Sequence, residues 1–203
     1  MKLGLSFDDV SLLPAYSEMF SREEADISTD LRFAKLSCPI IAAPMDTVCG
    51  IEMVQAMRDA GGLGIHHRYC DYGTLRQAAA VGPIAVSPSM KIDIIKEILT
   101  EVNPQVVLMM DVAHGDSKPV LDYAEQCVKL NATVISGNIV TESAARRYRR
   151  IGVNIYRTGL GGGSACSTRR VAGVGIPQFT AIQDIYEWVK SVDDDQLHIL
   201  SDG

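Results

Sequence analysis

The chain has 203 residues and a mass of 22.0 kDa, with 47% apolar and 22% charged residues. This is the composition of an ordinary globular domain, and it excludes disordered, collagen-like and coiled-coil chains. The net charge of −6 disfavours nucleic acid or an anionic membrane as a partner. Because the sequence lacks both a secretory signal and an apolar run of about 20 residues, we expect a soluble, cytoplasmic protein.

Seven short apolar segments predict β-strands, and amphipathic segments lie between them. Nearly continuous apolar runs of this length are typical of strands buried on both faces of a parallel sheet. The predicted strands cover residues 39–45, 63–67, 82–87, 106–113, 133–139, 154–159 and 197–201. Apolar residues recur at helical spacing after Ile92, Val120 and Ile182. Gly61 predicts the end of an earlier helix, and Thr141 predicts the N-cap of another.

Strands that alternate with helices predict an α/β fold with a parallel sheet and right-handed crossovers. Both an open doubly wound sheet and a closed (β/α)8 barrel fit this pattern. A barrel needs eight strands and typically about 250 residues. An open sheet tolerates seven strands, but no glycine-rich fingerprint follows the first of them. Periodicity therefore favours the barrel slightly and leaves both open, in one domain over residues 1–203.

The chain has five cysteines, an odd number, and none of them forms a Cys-x-x-Cys pair. This pattern argues against a disulfide framework and against a structural zinc site. Free thiols are then expected, and most should be inert core residues. We expect that role for Cys38, Cys49, Cys70 and Cys127, whereas Cys166 has different neighbours.

A glycine-rich loop over residues 158–168 follows the sixth predicted strand, where active-site loops of parallel α/β folds gather. Its glycines permit positive φ angles and a close approach of the backbone to a ligand. Cys166 lies in this loop just before Arg169 and Arg170, and cationic neighbours lower the pKa of a thiol toward the nucleophilic thiolate. The alternative is a flexible turn that holds a small buried cysteine.

Polar residues follow three other predicted strands, namely Asp111, Asn138 and Asp202. The carboxyl ends of parallel strands converge on one rim, so these side chains and the cysteine loop predict a shared site. His66 and His67 end the second predicted strand. Adjacent residues on a strand point to opposite faces, so we expect no shared metal ion and one histidine facing a pocket.

The order and spacing of several motifs resemble the inosine monophosphate (IMP) dehydrogenase and guanosine monophosphate (GMP) reductase family over nearly the whole chain. These motifs are LSFDDVSLLPAYS at 5–17, APMDTV at 43–48, GLGIHH at 62–67, DVAHG at 111–115, SGN at 136–138, GLGGGSACST at 159–168 and VAGVGIPQ at 171–178. The resemblance implies a single catalytic (β/α)8 barrel that stops after its seventh strand and has no paired regulatory CBS domains.

The resemblance also implies a reaction, the oxidation of IMP to xanthosine monophosphate (XMP) with NAD in guanine nucleotide synthesis. Cys166 would form a covalent adduct with C2 of the purine, and Thr168 would help to handle the water or, in the reductase, the leaving ammonia. The implied substrate-binding residues are Ala43, Met45, Asn138, Arg157, Ser164, Asp202 and Gly203. The implied cofactor-binding residues are Asp111, His67, Gly159 and Gly161. Backbone carbonyls of Gly161, Gly163 and Cys166 would hold a monovalent cation such as potassium, and the family's barrels commonly form homotetramers.

Dehydrogenase and reductase both remain open. Pro44, His67 and residues 171–175 resemble the dehydrogenase, whereas residues 111–113 and 201–203 resemble the reductase, which converts GMP to IMP with NADPH. We favour the dehydrogenase. Since the family continues beyond the last residue here, we expect a fragment or a copy completed by another chain. A nucleotide-binding paralogue without activity is the further alternative.

Overall fold

The computed structural model describes residues 3–164 and 166–203. Met1 and Lys2 of the predicted domain, and Ala165 of the predicted glycine-rich loop, lie outside the described residues. The described residues form three sheets. An antiparallel pair joins β1 (Thr29–Asp30) to β2 (Lys35–Leu36), and a parallel pair joins β3 (Ile41–Ala42) to β4 (Leu63–Gly64). The third sheet is parallel and holds β5 (Ile84–Val86), β6 (Val107–Met110), β7 (Thr133–Ile139), β8 (Ile155–Thr158) and β9 (His198–Ser201).

Helices follow the strands in the order that the sequence predicts. They are α1 (Ile51–Asp59), α2 (Tyr72–Val81), α3 (Ile92–Glu97), α4 (Lys118–Lys129), α5 (Glu142–Arg150), α6 (Thr168–Val171) and α7 (Gln178–Ser191). Helix α3 continues into a π-helical turn over Ile98–Val102, and short 3-10 turns cover Phe7–Asp9 and Arg22–Glu24. Two predicted helix ends are confirmed. Gly61 has a φ of +79° just after α1, and the Thr141 side chain accepts a hydrogen bond from the Ala144 amide. In the described part of the chain, no helix has the length and apolar character needed to cross a membrane.

All seven predicted strands are present, most of them shorter than predicted, and neighbours in the chain are neighbours in space. An isolated bridge between His66 and Ile84 links the β3–β4 pair to the five-stranded sheet, whose order is β5-β6-β7-β8-β9. A doubly wound sheet reverses its strand order at a switch point, and the strands of the described residues show no such reversal. The predicted α/β class and parallel sheet are confirmed. Over residues 3–164 and 166–203, β9 does not pair with β3.

Alternate residues of the strands pack into two separate hydrophobic clusters, as the two-residue period of a strand requires. In β6, Val107 and Met109 enter one cluster, while Leu108 and Met110 enter the other. We call the first the inner cluster, because every parallel strand contributes to it: Ile41, Leu63, Ala85, Val107, Met109, Ile135, Ile155 and Leu200. We call the second the outer cluster; it joins the strands to the helices and includes Tyr123, Cys127, Tyr148 and Trp188.

The short β1–β2 pair was not predicted. Each of its strands has two residues, too few to show a period in the sequence, yet Leu31 and Leu36 are buried in the inner cluster. The N-terminal segment is anchored on the start of α7. The Leu5 amide donates to Thr180 Oγ1 at 2.7 Å, and the ring of Phe7 meets that of Phe179 edge-on at 6.1 Å.

Candidate active site

The carboxyl ends of the parallel strands surround a cavity of about 550 Å³. Parallel strands end at the same edge of the structure, so the polar residues that follow them meet there. All but one of the sequence-predicted site residues line this cavity: Ala43, Met45, Asp111, Asn138, Arg157, Gly159, Gly161, Gly163, Ser164, Cys166, Thr168, Asp202 and Gly203. The exception is His67.

Arg157 links two carboxylates at the centre of this rim. Its side chain is 11% exposed, and its Nη1 lies 3.0 Å from Asp111 Oδ1 while its Nε lies 3.1 Å from Asp202 Oδ2. Asn138 Nδ2 donates to the same oxygen of Asp202 and, at 2.7 Å, to the carbonyl of Gly159. A charge removed from water needs an ionic or hydrogen-bonding partner. These contacts therefore fix both carboxylates in place.

The second oxygen of Asp111 binds a residue that was not assigned to the site. Arg68 Nε lies 3.1 Å from Asp111 Oδ2, and the guanidinium stacks 4.3 Å from the centre of the Tyr69 ring. Asp111 is therefore held from two sides by two arginines. The sequence signal for Arg68 was only its position directly after the histidine pair.

Cys166 is exposed on the glycine loop and lines the same cavity. Its amide donates to the Gly163 carbonyl at 3.0 Å, and its Sγ lies 3.2 Å from Thr168 Oγ1. Hydrogen bonds from the hydroxyl and the amide of Thr168 hold the pKa of the Cys166 thiol below its usual value, because they favour the thiolate. A larger thiolate fraction makes this cysteine a better nucleophile.

The predicted cause of this lowered pKa was different, since the sequence suggested the neighbouring arginines. The hydrogen bonds come instead from Thr168, and the stem of Arg169 packs against the backbone of Gly161 and Gly175. Gly161 has a φ of +79°, and a Cβ there would lie 2.6 Å from Arg169 Cγ. Glycine at this position therefore allows both the left-handed turn and the close approach of the arginine stem.

The histidine pair does not behave as predicted. The rings of His66 and His67 stack with their centres 4.5 Å apart, rather than pointing to opposite faces. The prediction is wrong because β4 ends at Gly64, and alternation of side chains holds only within a strand. Burial lowers the pKa of the His66 imidazole, which is 1% exposed. Within the described ranges, no three His, Cys, Asp or Glu side chains are arranged to hold a metal ion.

His67 lies outside the cavity that contains Cys166. It lines a separate cavity of about 650 Å³ together with Asp46, Glu52 and the first turn of α1. Met45 lines the cysteine cavity and Asp46 lines the other, so the two cavities adjoin along this part of the chain. The structure therefore separates His67 from the residues with which it was grouped.

The remaining cysteines differ among themselves. Cys49 and Cys127 are fully buried, and burial raises the pKa of the Cys127 thiol to about 12. Cys38 and Cys70 are only half-buried. The prediction that four cysteines lie in the core therefore holds for Cys49 and Cys127 but not for the half-buried Cys38 and Cys70.

Comparison with known sequences gives the family. A family profile described as "IMP dehydrogenase / GMP reductase domain" matches residues 4–96 and 71–203. The chain belongs to this family. Four of the motifs that carried the resemblance, those at 43–48, 111–115, 136–138 and 159–168, contribute residues to the cavity around Cys166.

Individual relatives bear the names of both family activities. The chain is 28% identical to "Inosine-5'-monophosphate dehydrogenase" of Borreliella burgdorferi, covering 100% of the chain and 64% of the relative. It is 29% identical to the protein of the same name from Cryptosporidium parvum, covering 89% and 57%. It is 31% identical to human "GMP reductase 2", covering 98% and 61%. The chain thus spans about three fifths of the length of these relatives, and similar identities to both groups leave the reaction undecided.

Proposed function

We propose that this chain carries the nucleotide site and the nucleophile of an oxidoreductase that oxidises IMP to XMP with NAD. One observation carries the proposal. An exposed thiol, whose pKa Thr168 lowers, shares a cavity with a pair of carboxylates bridged by Arg157. A nucleophile beside fixed polar groups is the arrangement that covalent catalysis on a polar substrate requires.

The thiolate of Cys166 attacks C2 of the purine, so that a carbon–sulfur bond forms and C2 becomes tetrahedral. A bound nicotinamide cofactor supplies the acceptor for the hydride that leaves C2. Thr168 Oγ1, 3.2 Å from the sulfur, stabilises the thiolate before attack. It is also placed to orient the water that adds to C2 of the adduct, which releases XMP and restores the thiolate.

The rim residues supply the nucleotide contacts. Asp202 accepts hydrogen bonds from the ribose hydroxyls. Arg157 and Asn138 both bind Oδ2 of Asp202, which leaves Oδ1 for the sugar. Ser164 and the backbone amides of the glycine loop hold the phosphate. Ala43, Met45 and Gly203 line the same cavity around the base.

The predicted residues for the cofactor and for the cation lie in two places. Asp111, Gly159 and Gly161 line the same cavity as Cys166, and the volume of this cavity, about 550 Å³, lies within the range of small-molecule sites. His67 would contact only a cofactor that extends past Met45 into the adjoining cavity. A cation would be held by the carbonyls of Gly161, Gly163 and Cys166, since carbonyl oxygens can replace the hydration shell of potassium.

We propose that the seven parallel strands are consecutive strands of a (β/α)8 barrel. Their order follows the chain, and all seven send side chains into the inner cluster. A cavity of about 330 Å³ is lined by Ile41 of β3 and by Leu200 of β9, so the first and last parallel strands face a common space. A flat sheet would hold its first and seventh strands roughly 29 Å apart at its usual spacing of about 4.8 Å. A homotetramer and a cytoplasmic location complete the proposal.

The second candidate is reduction of GMP to IMP with NADPH. Human GMP reductase 2 matches 98% of the chain at 31% identity, and residues 111–113 and 201–203 resemble the reductase. In that reaction the same thiolate attacks C2, and the amino group takes up a proton and leaves as ammonia. C2 then receives a hydride, which NADPH would supply, and the carbon–sulfur bond breaks to release IMP and the thiolate. The site described above would serve either reaction, because both begin with attack of Cys166 at C2.

The experiment incubates the purified chain with IMP and NAD, and separately with GMP and NADPH, while the absorbance of reduced nicotinamide is followed. An increase with IMP and NAD supports the dehydrogenase, and a decrease only with GMP and NADPH assigns the reductase. Alkylation of Cys166 is measured in parallel with and without each nucleotide. Protection of Cys166 without turnover would identify a binding paralogue, and neither protection nor turnover would overturn the proposal.

A further inference from the structure

A buried glutamine lies beneath the glycine loop, at the first residue of α7. Gln178 is 3% exposed, and its Nε2 donates to the carbonyl of Thr158 at 2.7 Å and to Ser201 Oγ at 3.2 Å. Thr158 is the last residue of β8 and Ser201 is the last residue of β9. One side chain therefore ties together the ends of the two strands that deliver Arg157 and Asp202 to the rim.

The other face of the same carboxamide touches the loop backbone. A Cβ at Gly159 or at Gly162 would lie 2.9 Å from Gln178 Oε1. This is closer than real Cβ atoms come, so any side chain at either position would displace the carboxamide or the loop. The two glycines thus let the loop rest directly on Gln178.

From Gln178 the contacts continue to the thiol. Gly162 rests on Gln178, and the next residue, Gly163, accepts a hydrogen bond from the Cys166 amide at 3.0 Å. The end of β9 supports the same turn, because a Cβ at Gly203 would lie 2.8 Å from the Gly163 nitrogen. Movement at Gln178 would therefore be passed to Cys166 through two loop residues.

We propose that Gln178 is a positioning residue, whose carboxamide holds the glycine loop against the ends of β8 and β9 and thereby fixes Cys166 beside the nucleotide site. It acts through the loop and has no role in bond formation. The catalytic part of this inference rests on the proposed function, whereas the effect on the thiol does not.

The variant Gln178→Met tests this role without removing much packing. Methionine has a similar length but forms no comparable hydrogen bonds. The Thr158 carbonyl keeps a partner, because the Asp202 amide also donates to it at 2.9 Å. Over the residues described, Gln178 Oε1 has no hydrogen-bond partner, so the substitution also removes a buried unsatisfied acceptor. The fold should therefore survive the change.

The matched control is Gln183→Met. Gln183 lies on the same helix and is exposed, and its Nε2 donates to Glu187 Oε1 at 3.2 Å. Gln183→Met therefore makes the same glutamine-to-methionine change on an exposed face of α7, away from the glycine loop. If Gln178→Met does not fold, Ser201→Ala replaces it as the test, because it removes one of the two bonds of Nε2 at the exposed end of β9.

The measurement is the rate of Cys166 alkylation by iodoacetamide across a pH series, read by mass spectrometry of the Cys166 peptide. In Gln178→Met we expect the loop to shift, so that Cys166 loses part of its hydrogen bonding to Thr168. Alkylation near pH 7 should then slow by about 3- to 10-fold, and the pH profile should move to higher pH. Gln183→Met should match the parent chain. An unchanged profile in folded Gln178→Met would overturn the proposal.

Turnover gives the second readout with whichever nucleotide and cofactor support it. A misplaced nucleophile should lower kcat by about 10-fold or more, since small displacements are costly in catalysis. The KM for the nucleotide should change less than kcat. If the parent chain shows neither turnover nor protection of Cys166 by a nucleotide, the proposed function fails, and the alkylation profile still decides the role of Gln178.

Discussion

Two cysteines in different regions of the same fold differ in the pKa and the exposure of their thiols. Cys127 lies on α4 in the outer cluster with no exposed surface, and burial raises the pKa of its thiol to about 12. Cys166 lies on the glycine loop in contact with solvent, and Thr168 lowers the pKa of its thiol. Reactivity is therefore a property of the region rather than of the residue.

The difference extends to the way each region satisfies polar groups. The outer cluster is built from apolar side chains that strands and helices exclude from water. The rim is built from backbone amides, two carboxylates and an arginine, each held by a partner. We therefore expect substitutions in the outer cluster to change stability, and substitutions in the rim to change activity first.

The largest expected effect is that of Cys166→Ala. Removal of the proposed nucleophile should lower turnover by about 1000-fold or more, because the proposed covalent path would be lost. Its unfolding temperature should stay near that of the parent chain, since the side chain is exposed. Initial rates and thermal unfolding measure the two quantities.

Cys127→Ala is the matched control for the comparison. It should lower the free energy of unfolding by about 1 kcal/mol through a small cavity, with turnover per folded molecule unchanged. If Cys166→Ala kept its turnover, or if Cys127→Ala lost turnover while folded, the division between the two regions would be wrong.

Arg157→Met should have the next largest effect, because Arg157 serves both carboxylates of the rim. Without the guanidinium, Asp202 loses its cation, and binding of the nucleotide should weaken by about 100-fold. Unfolding should become easier by about 2 to 4 kcal/mol, as happens when one partner of a buried pair is removed. Nucleotide titration and denaturant unfolding give the two values.

Arg146→Met is the control for Arg157→Met, because it removes one arginine charge without removing the bridge between the carboxylates of the rim. Arg146 pairs with Glu142 on the exposed surface of α5, and its guanidinium lies 5.2 Å from the centre of the Trp188 ring. A surface ion pair and a partly exposed cation–π contact each contribute about 0 to 1 kcal/mol, so this variant should lose at most about 1 to 2 kcal/mol of unfolding free energy and should bind the nucleotide like the parent chain. Equal losses in Arg157→Met and Arg146→Met would refute a special role for the bridge.

The fold was largely predictable from sequence because parallel strands buried on both faces leave continuous apolar runs. The run at 133–139 predicts β7 residue for residue. The β1–β2 pair was missed because strands of two residues carry no period. Periodicity also cannot decide between an open sheet and a closed barrel, since hydrophobic spacing fixes which face of a strand is buried but not how far a sheet curls.

The site was predictable where a residue follows a strand and unpredictable where its role depends on packing. Asp111, Asn138 and Asp202 meet at the rim because parallel strands end together. His67 lines the adjoining cavity instead of the one that contains Cys166, a separation that its place in the sequence did not reveal. Gln178 was missed because a glutamine after a proline shows no sign of burial. Its only signal was its position as the last residue of the motif at 171–178.

Thr168→Val should have a smaller effect on the reactivity of the Cys166 thiol. The Thr168 hydroxyl lowers the pKa of Cys166, so its loss should raise that pKa and reduce the thiolate fraction at pH 7. Alkylation at pH 7 should slow by about 3- to 10-fold, and the difference should vanish well above the ordinary thiol pKa of about 8.5. Thr168→Ser keeps the hydroxyl and should retain the parent profile. A slow Thr168→Ser variant would mean that the methyl group, not the hydrogen bond, sets the reactivity.

The smallest expected effect comes from two buried tyrosines of the outer cluster. Tyr148 donates its hydroxyl to the Gly115 carbonyl at 2.8 Å, and the Gly115 amide donates to Asn138. Tyr123 is also buried, and across the described residues its hydroxyl has no partner.

Tyr148→Phe should therefore cost about 1 kcal/mol in unfolding free energy, while Tyr123→Phe should be neutral or slightly stabilising. Denaturant unfolding measures both, and turnover should change less than about twofold in either variant, because neither hydroxyl touches the cavity. A larger loss of turnover in Tyr148→Phe would mean that the outer cluster sets the position of Asn138, and the two regions would then have to be treated as one.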